Sequence, residues 1–134
     1  MPGEHALLSP SSAEKWLHCT PSARLEENYL EESSVYAAEG TLAHEIAELK
    51  IRKKFIEPMS QKAFTTRMNK LKKHELYQEE MQEYTDTYVD YLTECAMQYK
   101  SKPDVAAEIR LDYGDWAPEG FGRCDCVIVG ENTL

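Results

Sequence analysis

The residues with chemical potential are few and scattered. His44-Glu45-Ile46-Ala47-Glu48 has the opening of a zincin helix. Glu48 stands where the second His would be, so no pair of imidazoles shares a helical face and a zinc protease is not expected. The i,i+4 spacing still puts His44 and Glu48 on one face, where they pair with each other or hold a cation. Cys124 and Cys126 lie two apart, a spacing that on a strand points both side chains one way and Asp125 the other. A lone C-x-C pair is a poor zinc signature, because tetrahedral zinc needs two further ligands, and small buried thiols are the simpler reading. Asp125 shares its face with Arg123, Val127 and Val129, a face expected to turn toward the core. A carboxylate there needs a metal, a basic partner such as Arg123, or solvent. Glu108 sits on the polar side of another alternating run with Arg110 and Asp112, where most residues are simply hydrated. Pro103-Asp104 followed by Glu108-Ile109-Arg110 imitates a nuclease PD…ExK pattern, but the three-residue gap cannot place Asp104 and Glu108 on adjacent strands.

These residues must be positioned by helices first and strands last. Serine caps and an early acid mark a short helix within 8–17, and Pro21-Ser22-Ala23-Arg24-Leu25-Glu26 a second helical turn. The acidic stretch from Glu26 to Ser34 reads as a loop. After Gly40-Thr41, Leu42, Ile46, Leu49 and Lys53 fall at helical spacing, predicting a helix to about Phe55. Pro58 breaks the chain before a basic segment whose apolar residues are thin, so mobile or partly helical structure is expected there. The clearest helix is predicted for 78–100, with Met81, Tyr84, Tyr88, Leu92, Cys95 and Tyr99 as its apolar stripe. After Pro103 the period becomes two. Val105, Ala107, Ile109, Leu111 and Tyr113 alternate with polar residues, and a loop at 114–120 leads to a second strand, Phe121 to Val129. Gly130-Glu131-Asn132-Thr133 is a further turn. The expectation is an α+β fold: one domain over 1–134, mainly helical to residue 100, then an antiparallel hairpin over 105–130. A two-stranded hairpin is marginal by itself and needs helices or further strands to cover it.

Composition narrows the functional classes. The 134 residues are 42% hydrophobic and 29% charged, with a formal net charge of −9, ordinary for one globular domain. The longest apolar run, Cys126 to Val129, is far below the roughly 20 residues of a membrane span. Met1-Pro2-Gly3-Glu4-His5 has no signal-peptide character, so a cytoplasmic location, reduced cysteines and no membrane partner are expected. The charge is unevenly spread. Residues 50–74 hold nine basic side chains against Glu57 alone, a local +8 inside a chain that is otherwise about −17. That segment is either a DNA contact or a solvated linker.

Three separated segments, in order, carry a family resemblance: Leu8-Ser9-Pro10-Ser11-Ser12-Ala13 with Trp16 to Glu26; Ala37-Ala38-Glu39-Gly40-Thr41-Leu42-Ala43-His44-Glu45; and Trp116 to Asp125. Together they resemble the amino-terminal part of phage and prophage proteins related to RecB-type nucleases of the PD-(D/E)XK superfamily. The resemblance implies that His44 of the G-T-x-x-H helix approaches a metal site, that Asp125 is a principal ligand, and that Glu108, a looser match, supplies another acid. In this reading His44, Glu108 and Asp125 are both catalytic and metal-binding, and the cofactor is Mg2+ or Mn2+, oxygen-loving ions that hold a scissile phosphate and activate water. Some relatives bind an iron-sulfur cluster, and Cys19 matches its early cysteine; the late cysteines are missing, so no cluster is expected.

The family's D-x-K or E-x-K strand would follow Leu134. Glu48-Leu49-Lys50 has the letters, but a two-residue step on a helix turns the side chains about 200° apart. The expected core is therefore an incomplete PD-(D/E)XK one, inactive or weak alone. The leading reading is a metal-dependent DNA-processing module. The alternative is a non-catalytic phage inhibitor of a host defence nuclease, anti-CRISPR-like, whose acidic surface imitates nucleic acid. A third is a helical domain whose sheet another chain completes.

Overall fold

Ser34 opens the first long helix. In the computed structural model, which describes residues 6–29 and 34–131, the Ser34 Oγ accepts the Ala37 N–H at 3.1 Å and α3 runs Val35–Ile51. It is preceded by a 3-10 turn, Pro10–Ser12, and two short helices, α1 Ala13–His18 and α2 Ser22–Glu26. α3 thus begins well before Gly40, the expected start. A capping serine satisfies the orphan N–H groups, and Gly40 has open space around it and is simply carried inside the helix. Beyond Ile51 the chain widens into a π-helical turn, Arg52–Ile56, and extends at Glu57 before Pro58. The basic segment is more regular than its sparse apolar content suggests. Ser60 caps α4, Gln61–Lys72, by accepting the Ala63 N–H at 3.2 Å, and Phe64, Met68 and Leu71 suffice to seat it. α5 spans Glu80–Met97. Two nine-residue strands, β1 Asp104–Asp112 and β2 Phe121–Val129, pair as one two-stranded sheet. Their eight-residue connection is too short for a parallel crossover, so the pair is an antiparallel hairpin. The architecture is α+β, with five α-helices and this hairpin among the described residues. Residues 1–5 and Asn132-Thr133 lie outside them, as does most of the acidic loop after Tyr29.

The chain forms two compact units, each discontinuous in sequence: Met1–Glu32 with Ile109–Cys124, and Ser33–Glu108 with Asp125–Leu134. In the first, Tyr113 donates its hydroxyl to the Leu8 carbonyl at 2.7 Å and the Trp16 indole N–H donates to Ser9 O at 2.9 Å. Pro10 packs onto Gly122, where an added Cβ would lie 2.7 Å from the proline ring. The Arg110 guanidinium stacks 3.8 Å over the Phe121 ring.

The second unit has two cores, one on each side of α3. Leu42, Ile46 and Leu49 fall within about 60° of the helix wheel, while Ile51 points about 180° from Leu42. The first three join Met68 and Met81, with Phe64, Leu71 and Tyr77 packed around them. Ile51 joins Val89, Leu92 and Ala107, with Phe55, Val105, Cys126 and Ile128. A helix buried on both sides shows no clean amphipathic stripe. α5 buries Met81 and Leu92 as expected, with Tyr88 half-buried against the second core, but Thr85, Val89 and Ala96 are its other buried residues and Tyr84 is not among them. Tyr84 is 66% exposed and Tyr91 62%, because the amphipathic tyrosine ring tolerates water at one edge.

Candidate metal centre

α3 places His44 by its second face. His44 stands about 20° from Ile51 on the helix wheel, so the packing of Ile51 against the strand residues Ala107, Cys126 and Ile128 fixes the side of the helix on which the imidazole lies. Glu48 is nearby on the same face but is taken: its Oε1 accepts from Arg52 Nε and Nη2, both at 2.7 Å. The His44–Glu48 pair anticipated from spacing gives way to this ion pair, since a guanidinium donates two charged hydrogen bonds and an imidazole one. His44 instead faces Asp125, with Nδ1 3.5 Å from Oδ2.

Asp125 immediately precedes Cys126 in β2. The core-facing residues of this strand are Cys126 and Ile128; Val129 is 43% exposed. The expectation that Asp125 shares a core face with Val127 and Val129 is therefore reversed, and no buried, costly carboxylate results. No ion pair joins it to Arg123 among the described residues. The side chains of His44 and Asp125 are 58% and 51% exposed, open enough for water and a ligand to approach.

Glu108 comes from the neighbouring strand, β1. Val105 and Ala107 turn into the second core, so alternation aims Glu108 the opposite way. Asp125 likewise stands next to a core-facing residue, so alternation puts Glu108 and Asp125 on the same side of the hairpin; the Glu108 backbone is left-handed, with φ 52°, which interrupts the strand there. The alternation fails beyond it, and Leu111, an expected core residue, is 48% exposed. Half-buried Glu108 joins the other two: one ligand atom from each of His44, Glu108 and Asp125 lies within 4.8 Å of the others. Asp104, the acid of the decoy motif, is exposed at the start of β1 and outside this cluster.

The donor set suits a hard or borderline divalent cation. One imidazole nitrogen and two carboxylates match Mn2+ or Mg2+, with water completing the shell. The 3.5 Å His44–Asp125 separation exceeds a hydrogen bond yet fits between ligands of one ion with bonds of about 2.1 Å. Cys124 and Cys126 are outside the set, and no disulfide forms among Cys19, Cys95, Cys124 and Cys126. No described helix is long and apolar enough to cross a membrane. What the sequence does not disclose is the left-handed turn at Glu108: glycine or asparagine would have announced it, and glutamate does not.

No solved structure matches this chain. A family profile described as Protein of unknown function (DUF2800) matches residues 5–134, nearly the whole chain, and the protein therefore belongs to the DUF2800 family.

Proposed function

We propose that this chain is a divalent-cation-dependent, nuclease-like module of RecB-type PD-(D/E)XK ancestry, acting on the phosphodiester bonds of DNA. The observation that carries the reading is the convergence of His44, Glu108 and Asp125 within 4.8 Å, a helix residue meeting two residues of a hairpin more than 60 positions later in the sequence. Those are the residues that the family resemblance implies as ligands. His44, Glu108 and Asp125 would hold Mg2+ or Mn2+, which supplies charge neutralisation at a phosphate and an acidified water.

The chain's own contribution is positional. Ile51 and its packing orient the imidazole, alternation along the hairpin sets the Glu108 carboxylate on the side of Asp125, and the half-exposed Asp125 leaves a side open to solvent. Neither β1 nor β2 carries a lysine, so no ammonium stands on these strands to balance charge building on the phosphate. Metal uptake is therefore the primary readout.

Calorimetric titration of the purified chain with Mn2+ tests the reading. One bound ion per chain is expected, lost in Asp125→Asn and in His44→Ala, with Mn2+-dependent cleavage of end-labelled DNA lost in the same variants. Equal Mn2+ binding by parent and Asp125→Asn would overturn it.

A further inference from the structure

The outer face of α4 carries lysines toward both ends and no acid. On the helix wheel the core-facing Phe64, Met68 and Leu71 cluster on one side, and Lys62, Thr66, Asn69 and Lys73 lie opposite, with Lys70 flanking them. All five are exposed, α4 contains no acid, and Lys62, Lys70 and Lys73 enter no ion pair among the described residues. The helix dipole accounts for lysines in the last turn. It does not account for Lys62 in the first turn, where a cation opposes the dipole and no acid offsets it. A separate groove of about 700 Å³, on the side of α4 that carries Phe64 and Met68, is lined by Lys53, Lys54 and Lys72. Of the groove's two acids, Asp86 is held by Lys50 at 2.7 Å; Asp90 is exposed.

We infer that the outer face of α4 docks the phosphate backbone of a nucleic-acid strand. The inference rests on the DNA substrate proposed above but not on metal binding. Charge complementarity selects a polyanion, and the shape of the face selects which. Lys62 to Lys73 spans about 16 Å, the rise of about five nucleotides of one strand at 3.4 Å each. A helix that lies on an anionic membrane inserts its apolar face; here Phe64, Met68 and Leu71 are occupied by the core. Threonine and asparagine between the lysines add neutral donors of the kind that contact phosphate.

The test is fluorescence anisotropy of a labelled 30-nucleotide DNA strand in EDTA, from 50 to 300 mM KCl, with the parent and with Lys62→Gln/Lys70→Gln/Lys73→Gln. Glutamine keeps helix propensity, and equal melting temperatures check the fold. Removing three phosphate contacts should flatten the slope of log affinity against log salt by about 2 and weaken binding at 100 mM at least tenfold. A triple variant with the parental slope, or a parent that binds phosphatidylserine vesicles through these lysines but not DNA, overturns the docking face and leaves the metal centre untouched. A lysine-dependent slope in a chain that takes up no Mn2+ supports the docking face and overturns the metal centre.

Discussion

Replacing Glu108 by glycine and, separately, by alanine splits the carboxylate from the backbone that carries it. Both variants lose the side chain and whatever it touches, so their difference reports only the left-handed conformation at φ 52°. An L-residue held there costs about 1–2 kcal/mol. Glycine escapes that cost but gives up about 0.5–1 kcal/mol of extra chain entropy. Glu108→Gly should thus exceed Glu108→Ala by about 1 kcal/mol. For a chain of 134 residues this is a difference of about 3–5 °C in melting temperature, resolved by circular dichroism in EDTA. Repeating the melts with excess Mn2+ adds the second half. The parent gains about 2.7 kcal/mol at a hundredfold excess over Kd, while both variants stay near their EDTA values. Alanine matching glycine would refute strain at this position. Variants that gain as much from Mn2+ as the parent would remove Glu108 from the site.

Other perturbations probe the frame. Ile46, fully buried in the first core, should cost about 2–5 kcal/mol as Ile46→Ala, measured by urea denaturation. Ser60→Ala removes the α4 cap and should cost about 1 kcal/mol, with faster amide exchange confined to the start of that helix. Tyr113→Phe deletes the bond to Leu8 at a cost of about 1 kcal/mol. Burial also raises the Tyr113 phenol above its ordinary pKa of 10.0. The unfolded chain releases that proton first, so the contribution is whole below pH 10 and lost as pH climbs toward the raised value; Tyr113→Phe should melt with a weaker dependence on pH above 10.

Periodicity made the hairpin and α5 legible, because both periods hold over many residues. It placed Met81 and Leu92 on the buried face of α5 correctly but put Tyr84 there instead of Thr85; Thr85 can be buried because its hydroxyl donates to Met81 O at 2.6 Å and accepts from Lys50 at 2.8 Å. Alternation in β1 was readable up to Glu108 and no further: beyond that left-handed residue Arg110, Leu111 and Asp112 are all exposed. His44 was legible as a cation ligand mainly through the resemblance; its spacing to Glu48 pointed equally to an ion pair between the two, and Glu48 pairs with Arg52 instead. That Asp125 meets an imidazole rather than Arg123 depends on contacts across 81 positions of sequence, which local pattern does not encode.

The discontinuity of the two units sets an order in time. The Tyr113–Leu8 bond joins residues 105 apart, and Pro10 waits for Gly122. At a translation rate of about 5–20 residues per second, the amino-terminal helices emerge roughly 5–20 s before the hairpin tip that completes their unit. Over that interval α3, α4 and α5 can already close the first core, whose members all precede residue 82. On the ribosome, the middle of this chain is ready to fold before its beginning.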